Sequence, residues 1–160
     1  MNRINVCSHN KCNGCMACID KCPKNCISIV DNIISYNAVR DMNICINCGQ
    51  CEKICPNNTE IEKKAPLDWK QGWAEWNVRS KSSSGGAASA IIRAFIESGG
   101  YVASCLFKDG EFVFEITNDL DFAKRFAGSK YVKSNPTGIY KKIQERLKTD
   151  KVLFIVSAKY

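Results

Sequence analysis

The sequence predicts an α+β protein in which a small cysteine-rich domain precedes a mixed α/β domain. All but three of the 11 cysteines lie in two short stretches of the N-terminal part. After Trp69 a periodicity of aliphatic and aromatic residues takes over, which is typical of packed helices and strands. We therefore expect a first domain at residues 1–62, a linker at residues 63–83 and a second domain at residues 84–160.

The two cysteine-rich stretches are copies of one motif, offset by 33 residues. The first copy reads CNGCMACIDKCPKN and begins at Cys12, and the second reads CINCGQCEKICPNN and begins at Cys45. Two β-rich runs between the copies flank Asp31 and Asn32, which predicts a β-hairpin. The repeat therefore predicts two related binding loops joined by a hairpin.

Four cysteines at the spacing C-x2-C-x2-C-x3-C-P are typical ligands of a four-iron cubane cluster. Three thiolates in a tight loop can surround one cube, and the proline after the fourth cysteine turns the chain away. In two-cluster proteins the fourth cysteine of each run binds the cluster of the other run. The predicted ligands of cluster I are Cys12, Cys15, Cys18 and Cys55, and those of cluster II are Cys45, Cys48, Cys51 and Cys22.

Structural zinc and disulfides are the alternative interpretations of these cysteines. Zinc sites usually pair two C-x2-C knuckles, and disulfides belong to oxidising compartments, which no secretory signal indicates here. A domain of about 60 residues has a thin hydrophobic core, so we expect metal ligation to supply much of its folding free energy. Outside the motifs, Cys7, Cys26 and Cys105 are predicted to be buried thiols rather than additional ligands.

Residues 12–58 closely resemble the bacterial two-cluster ferredoxins, because both copies of the motif are complete. The resemblance implies one-electron transfer at low potential through two 4Fe-4S clusters.

The second domain is predicted to alternate helices and strands. Residues 82–100 indicate a capped helix with a buried face formed by Ala88, Ile91, Ile92, Phe95 and Ile96. Further segments predict two strands joined by a turn at Asp109-Gly110, a short helix capped by Asn118 or Asp119, an amphipathic helix over residues 135–148 and a buried strand over residues 151–156. In the linker, Trp69, Trp73 and Trp76 have helical spacing, and we expect them to dock onto a core.

Three segments of this domain, in this order behind a two-cluster ferredoxin, resemble the coenzyme F420 hydrogenase/dehydrogenase beta subunit family. They are RSKSSSGGAASAIIRAFIESGGYV, FAGSKYVKSN and KVLFI. The resemblance implies an iron–sulfur flavoprotein that passes electrons between clusters, FAD and a deazaflavin or other small acceptor, beside a redox partner protein or subunit. The candidate FAD contacts are Ser84, Gly85 and Gly86, at a helix N-terminus that favours a phosphate, and Ser129, Lys130 and Tyr131.

The sequence departs from this family after its last predicted strand. There the family continues into a glycine-threonine-proline-cysteine-glutamine segment, whereas this sequence reads VSAKY and stops. We therefore expect a partial second domain from a truncated family member. The first hypothesis is an electron relay to a flavin or deazaflavin module; the alternatives are an FAD-dependent oxidoreductase subunit and a non-catalytic iron–sulfur scaffold. An ordinary helix cap is the alternative interpretation of the Ser-Gly-Gly segment.

Charge and hydropathy narrow the expected partners. The formal net charge of +7 falls to roughly +3 if two oxidised clusters each contribute about −2 with their thiolates. Nucleic-acid binding is therefore not expected. No apolar run approaches the roughly 18 residues of a membrane span. A cytoplasmic protein is expected.

Overall fold

The computed structural model describes residues 2–60, 62 and 64–156. The chain forms two compact units, Met1–Ala65 and Pro66–Tyr160. Each unit contains helices and a three-stranded sheet, which confirms the predicted α+β class. The boundary between the units lies inside the predicted linker, and the linker residues after Ala65 belong to the second unit.

The sheet of the first unit is antiparallel and has the order β1-β3-β2. Its strands are β1 (Arg3–Asn5), β2 (Ile27–Asp31) and β3 (Tyr36–Asp41). Strands β2 and β3 form the predicted hairpin, in which Asp31 pairs with Tyr36. The Asp31 carboxylate accepts a hydrogen bond of 2.8 Å from the Ile33 N–H, an arrangement typical of a turn-forming aspartate.

The first unit also has two five-residue helices, one in each copy of the motif. Helix α1 (Ala17–Lys21) ends at Cys22, and helix α2 (Gln50–Ile54) ends at Cys55. Each helix therefore begins within the cysteine loop and delivers the fourth cysteine of its own copy. The two helices pack against each other, so the two copies are in contact.

The sheet of the second unit has the order β5-β4-β6. Its strands are β4 (Tyr101–Lys108), β5 (Glu111–Thr117) and β6 (Val152–Phe154). Strands β4 and β5 are antiparallel, and Asp109 and Gly110 between them both have positive φ angles, of 51° and 86°. Two such residues make the twisted hairpin turn that the sequence predicts. Strand β6 pairs with β4 in parallel.

The helices of the second unit are α3 (Trp76–Arg79), α4 (Ala87–Glu97), α5 (Leu120–Ala123) and α6 (Ile139–Arg146), with a 3-10 turn at Lys124–Phe126. The core of this unit is apolar. Its buried members are Ile92, Ile96, Val102, Leu106, Ala123 and Phe126.

Three predictions about burial in the second unit are wrong. Ala88 and Ile91 of α4 are exposed, because the sheet covers only the side of the helix that carries Ile92 and Ile96. The three linker tryptophans are 70–84% exposed, since helical structure begins only at Trp76. The last strand is half-buried rather than buried, and it lies at an end of the described sheet order.

Candidate metal centre

The first thiol group consists of Cys12, Cys15, Cys18 and Cys55. Burial, followed by the charges of Cys15, Cys12 and Cys55, raises the pKa of Cys18 to about 12. Burial also raises the pKa of Cys15, and Cys12 and Cys55 raise it further. Three cysteines of the first motif thus lie close to the fourth cysteine of the second motif.

The second thiol group consists of Cys22, Cys45, Cys48 and Cys51, which all line one cleft. Here three cysteines of the second motif meet the fourth cysteine of the first. The two groups are also neighbours, because Cys51 of the second group raises the pKa of Cys18 in the first.

The loops that carry these thiols depend on residues in the left-handed backbone region. Gly14 and Met16 have φ angles of 69° and 58° in the first copy, and their equivalents Asn47 and Gly49 have 53° and 69° in the second. Asparagine and glycine adopt this conformation at low cost. The same backbone bend therefore recurs at equivalent positions of the two cysteine loops.

Backbone amides are directed at several of the sulfur atoms. The N–H of Asn47 donates to Cys45 Sγ at 3.4 Å. The N–H of Ala17 donates to Cys15, and that of Glu52 donates to Cys51; both bonds lower the pKa of the thiol that accepts them. Such donors favour the thiolate form, which is the form that binds metals.

Several hydrogen-bond donors surround the sulfur atom of Cys22. Burial acts to raise its pKa, but hydrogen bonds from the backbone N–H groups of Cys26, Lys24 and Asn25 and from the Cys26 thiol outweigh it and lower the pKa. Its sulfur lies 3.5 Å from the sulfur of Cys26. The residues after the fourth cysteine thus stabilise a thiolate at Cys22.

The cysteines outside the motifs are buried beside the thiol groups, apart from half-buried Cys105 in the second unit. Cys7 lies beside Cys55 and Cys12, and burial and these neighbours raise its pKa to about 11. Cys26 lies beside Cys22 and Cys45, and burial and these neighbours raise its pKa to about 12. The expected burial of Cys7 and Cys26 is confirmed. Their place beside the motif cysteines was not predicted.

Arg40 is a charged residue of the cleft that the sequence did not single out. It is 9% exposed and lines the cleft together with the second thiol group. Its Nη2 lies 2.8 Å from Glu52 Oε1. Its buried Nε has no hydrogen-bond partner among the residues that the structure describes. A faint signal was available, because Arg40 follows Cys7 by the 33-residue repeat offset.

In the second unit, the predicted contacts Ser84, Gly85 and Gly86 immediately precede helix α4, and Gly86 is its N-cap with a φ angle of 76°. A Cβ atom at Gly86 would lie 3.1 Å from the Cβ of Ala74 and 3.3 Å from the Cα of Arg79. Close packing against the segment around α3 is therefore one physical reason for glycine at this position.

The other predicted contacts follow the 3-10 turn. Lys130 Nζ donates to the carbonyl oxygens of Phe126, Ala127 and Gly128 at 2.7, 2.7 and 2.9 Å. Its pKa is lowered by burial, although Cys105 opposes this. Three acceptors match the three ammonium hydrogens, so Lys130 caps the turn. Neighbouring Tyr131 is 93% exposed, and Ser129 lies between Gly128 and Lys130.

No helix in the described part of the chain is long and apolar enough to cross a membrane. No three His, Cys, Asp or Glu side chains in residues 2–60, 62 and 64–156 are arranged as the ligands of a single metal ion.

Comparison with known families places the thiol groups in context. Residues 11–59 match the 4Fe-4S dicluster domain, and this stretch contains both copies of the motif. The first unit contains a ferredoxin-like domain. A ferredoxin of Streptomyces griseus is similar to this chain, with 36% identity over 59 residues. The alignment covers 34% of this chain and 49% of that ferredoxin, so the chain spans about half the length of the curated relative it matches.

These matches support iron–sulfur clusters and ferredoxin-type electron transfer for the ferredoxin-like domain. The matched residues 11–59 end before the second unit begins. The F420 hydrogenase/dehydrogenase beta subunit resemblance and the FAD contacts therefore stay predictions.

Proposed function

We propose that this protein transfers electrons through two 4Fe-4S clusters held by its first unit. The observation that carries the proposal is the composition of the two thiol groups, in which three cysteines of one motif meet the fourth cysteine of the other. When bound, each cluster supplies a one-electron redox centre whose potential depends on its surroundings.

The donor set fits such a cluster in three respects. Each group offers four thiols, and soft thiolates are the ligands that iron–sulfur clusters require. Backbone N–H groups donate to sulfur in both groups, as Ala17 and Glu52 illustrate. Four of the eight motif cysteines are buried, three are half-buried and only Cys48 is exposed. The side chains thus hold thiolates and exclude most water from them.

The proximity of the groups suits electron transfer between two centres. Cys51 of the second group is close enough to Cys18 of the first to influence its pKa, and helices α1 and α2 are in contact. We propose that an electron enters through one centre and leaves through the other to a redox partner protein or subunit. Free thiols on this scale suit a reducing compartment, such as the cytoplasm.

Anaerobic reconstitution with iron and sulfide tests the function directly. We expect about eight iron atoms and eight sulfides per chain, as two cubanes require, with EPR signals on reduction. Protein that bound zinc and incorporated no iron under these conditions would contradict the proposal.

The crossed ligand assignment has a separate test based on matched variants. We expect Cys22→Ser to leave the same EPR spectrum as Cys48→Ser, since both remove a ligand of cluster II. Cys55→Ser should match Cys15→Ser, because both remove a ligand of cluster I. The control is Cys26→Ser, which alters a buried thiol 3.5 Å from Cys22 and should retain both clusters. If Cys22→Ser matched Cys15→Ser instead, the crossed assignment would be wrong.

The finer proposal is that the electrons pass to a flavin or deazaflavin module. Its support is the sequence resemblance of the second unit and the Gly85-Gly86 segment before the eleven-residue helix α4. Flavin quantification after mild anaerobic purification tests it. FAD retained by the chain supports the oxidoreductase subunit, whereas protein with two clusters that binds no added FAD supports the non-catalytic scaffold.

Lys130 can be tested as a flavin contact in the same preparations. If it binds FAD, Lys130→Met should lower the FAD content and leave the iron content unchanged. The hydrogen bonds of its ammonium group favour a structural effect instead. Loss of stability of the second unit with unchanged FAD content would remove Lys130 from the proposed contacts.

A further inference from the structure

The segments that precede the two copies of the motif differ in charge at one equivalent position beside the thiol groups. Cys7 lies five residues before the first copy and Arg40 lies five residues before the second, so the 33-residue offset of the repeat relates them. Cys7 lies beside Cys55 and Cys12 of the first group, and Arg40 lines the cleft of the second group. The first thiol group therefore has a thiol where the second has a guanidinium.

The pairing of β1 with β3 explains why these positions are equivalent. Ile4 pairs with Arg40, and Asn5 pairs with Val39. The repeat offset relates Ile4 to Asn37 and Arg40 to Cys7. A Cys7–Asn37 pair would continue the antiparallel register of β1 and β3 beyond Asn5. The two segments of the repeat thus occupy equivalent places in the strand pair. This pairing places residue 7 beside one thiol group and residue 40 beside the other.

The guanidinium of Arg40 forms one ion pair, but one of its buried nitrogen atoms has no hydrogen-bond partner among the described residues. Nη2 lies 2.8 Å from Glu52 Oε1, while buried Nε has no acceptor among the described residues. A buried donor without a partner is costly. Arg40 lines the same cleft as Cys51. The Arg40 side chain is 11% exposed, whereas the Glu52 side chain is 47% exposed. Solvent therefore screens the carboxylate more than the guanidinium, and the positive charge acts on the cleft with less screening.

We propose that Arg40 raises the reduction potential of cluster II above that of cluster I, so that the first electron taken up by the domain resides on cluster II. This inference rests on the proposed function. Reduction adds one negative charge to an already anionic cluster, and a cation in a poorly hydrated site stabilises the added charge. Arg40 is not a ligand in this proposal, and its charge alone stabilises the reduced form of cluster II.

A higher potential at cluster II would place the electron at the more exposed of the two proposed cluster sites. The motif of cluster II is the more exposed one at equivalent positions: Cys48 is exposed whereas Cys15 is half-buried, and Asn47 is exposed whereas Gly14 is buried. An electron held preferentially at cluster II is therefore at the surface that a partner protein can reach. Solvent exposure also influences cluster potentials, so the test must separate the contribution of the Arg40 charge from that of exposure.

Potentiometric titration of the reconstituted two-cluster protein, followed by EPR, provides this separation. Arg40→Met should raise the oxidised-to-reduced ratio of cluster II between about threefold and tenfold at the potential that half-reduces it in the unsubstituted protein. A tenfold change corresponds to a lowering of about 59 mV for one electron. The ratio for cluster I should change by less than about twofold. Cys48→Ser protein, which retains cluster I alone, identifies the signal of that cluster.

Three further variants sharpen the result. Arg40→Lys keeps the charge and should restore much of the native ratio. Glu52→Gln removes the opposing carboxylate and should shift the ratio by about twofold in the opposite direction. Lys24→Gln is the matched control: it removes one charge from the lining of the same cleft, but Lys24 is exposed, so solvent screening should keep its effect below about twofold.

The outcomes distinguish this inference from the proposed function. If two clusters assemble and Arg40→Met leaves the cluster II ratio unchanged, or shifts both clusters equally, the role of Arg40 is refuted while electron transfer stands. If the unsubstituted protein assembles no reducible cluster, the proposed function itself fails. Should Arg40→Met not assemble cluster II, Arg40→Gln, which removes the charge and keeps a polar side chain, takes its place, and an unchanged cluster II ratio in that variant would refute the inference.

Discussion

The cores of the two units differ in chemistry. Six cysteines take part in the buried core of the first unit together with Val6, Ile27 and Ala38, and half-buried Ile19 and Ile29 pack against it. The core of the second unit is built from aliphatic and aromatic side chains, among them fully buried Val102 and Leu106. Thiols are small, so the first core buries little hydrocarbon. The difference indicates that ligation stabilises the first unit and apolar burial stabilises the second.

Removal of iron is the strongest way to test this contrast. We expect apo protein to lose hydrogen-exchange protection of the β1–β3 amides, because a site assembled from both motifs couples metal binding to folding. The loss should approach the whole stability of a small domain, on the order of 5 kcal/mol or more. The β4 and β5 amides serve as the internal control and should keep their protection. Persistent protection in the first unit of apo protein would contradict the contrast.

A cavity in the second core should have the opposite pattern. Leu106 is fully buried, so Leu106→Ala should destabilise the second unit by about 2–5 kcal/mol in urea unfolding. The iron content of the reconstituted protein should not change. Ile91→Ala is the control, because Ile91 is apolar but 54% exposed and should cost much less. Loss of iron in Leu106→Ala protein would show that the two units do not have independent cores.

Two glycines, one in each cysteine loop but at different positions of the motif, allow a finer test. Gly14 and Gly49 both have a φ angle of 69°, so alanine at either position costs about 1–2 kcal/mol of backbone strain. A Cβ at Gly14 would also clash with the Tyr36 ring, whereas a Cβ at Gly49 meets nothing within 4 Å. We therefore expect Gly14→Ala to destabilise the first unit by about 1–3 kcal/mol more than Gly49→Ala. On heating, the Gly14→Ala protein should lose its cluster absorbance at the lower temperature. Equal losses would mean that the ring gives way freely.

The parts of this molecule that could be predicted from sequence are those set by local spacing. The ligand motifs, the hairpin after Asp31 and the turn at Asp109-Gly110 each depend on residues that are neighbours in the chain. The place of Arg40 depends on the pairing of β1 with β3, which joins residues more than 30 positions apart. The periodicity of the sequence assigns Ile91 and Ile92 to one apolar face of the helix. Packing against the sheet buries Ile92 and leaves Ile91 exposed, which periodicity alone does not predict.

The smallest effect expected is at the cap of helix α5 in the second unit. The Asp119 carboxylate accepts hydrogen bonds from the N–H groups of Asp121 and Phe122 at 2.7 and 3.4 Å. Asp119→Ala leaves both donors without this acceptor and should cost about 1 kcal/mol. Asp119→Asn keeps a capping oxygen and should cost less.

Urea unfolding of the second unit measures both Asp119 variants, and iron content serves as the control. Helix α5 contributes Ala123 to the apolar core, so loosening the cap should weaken only that core. If Asp119→Asn were as destabilising as Asp119→Ala, the carboxylate charge rather than the cap would be responsible. A loss of iron in either variant would extend the effect to the thiol-rich core and weaken the contrast between the units.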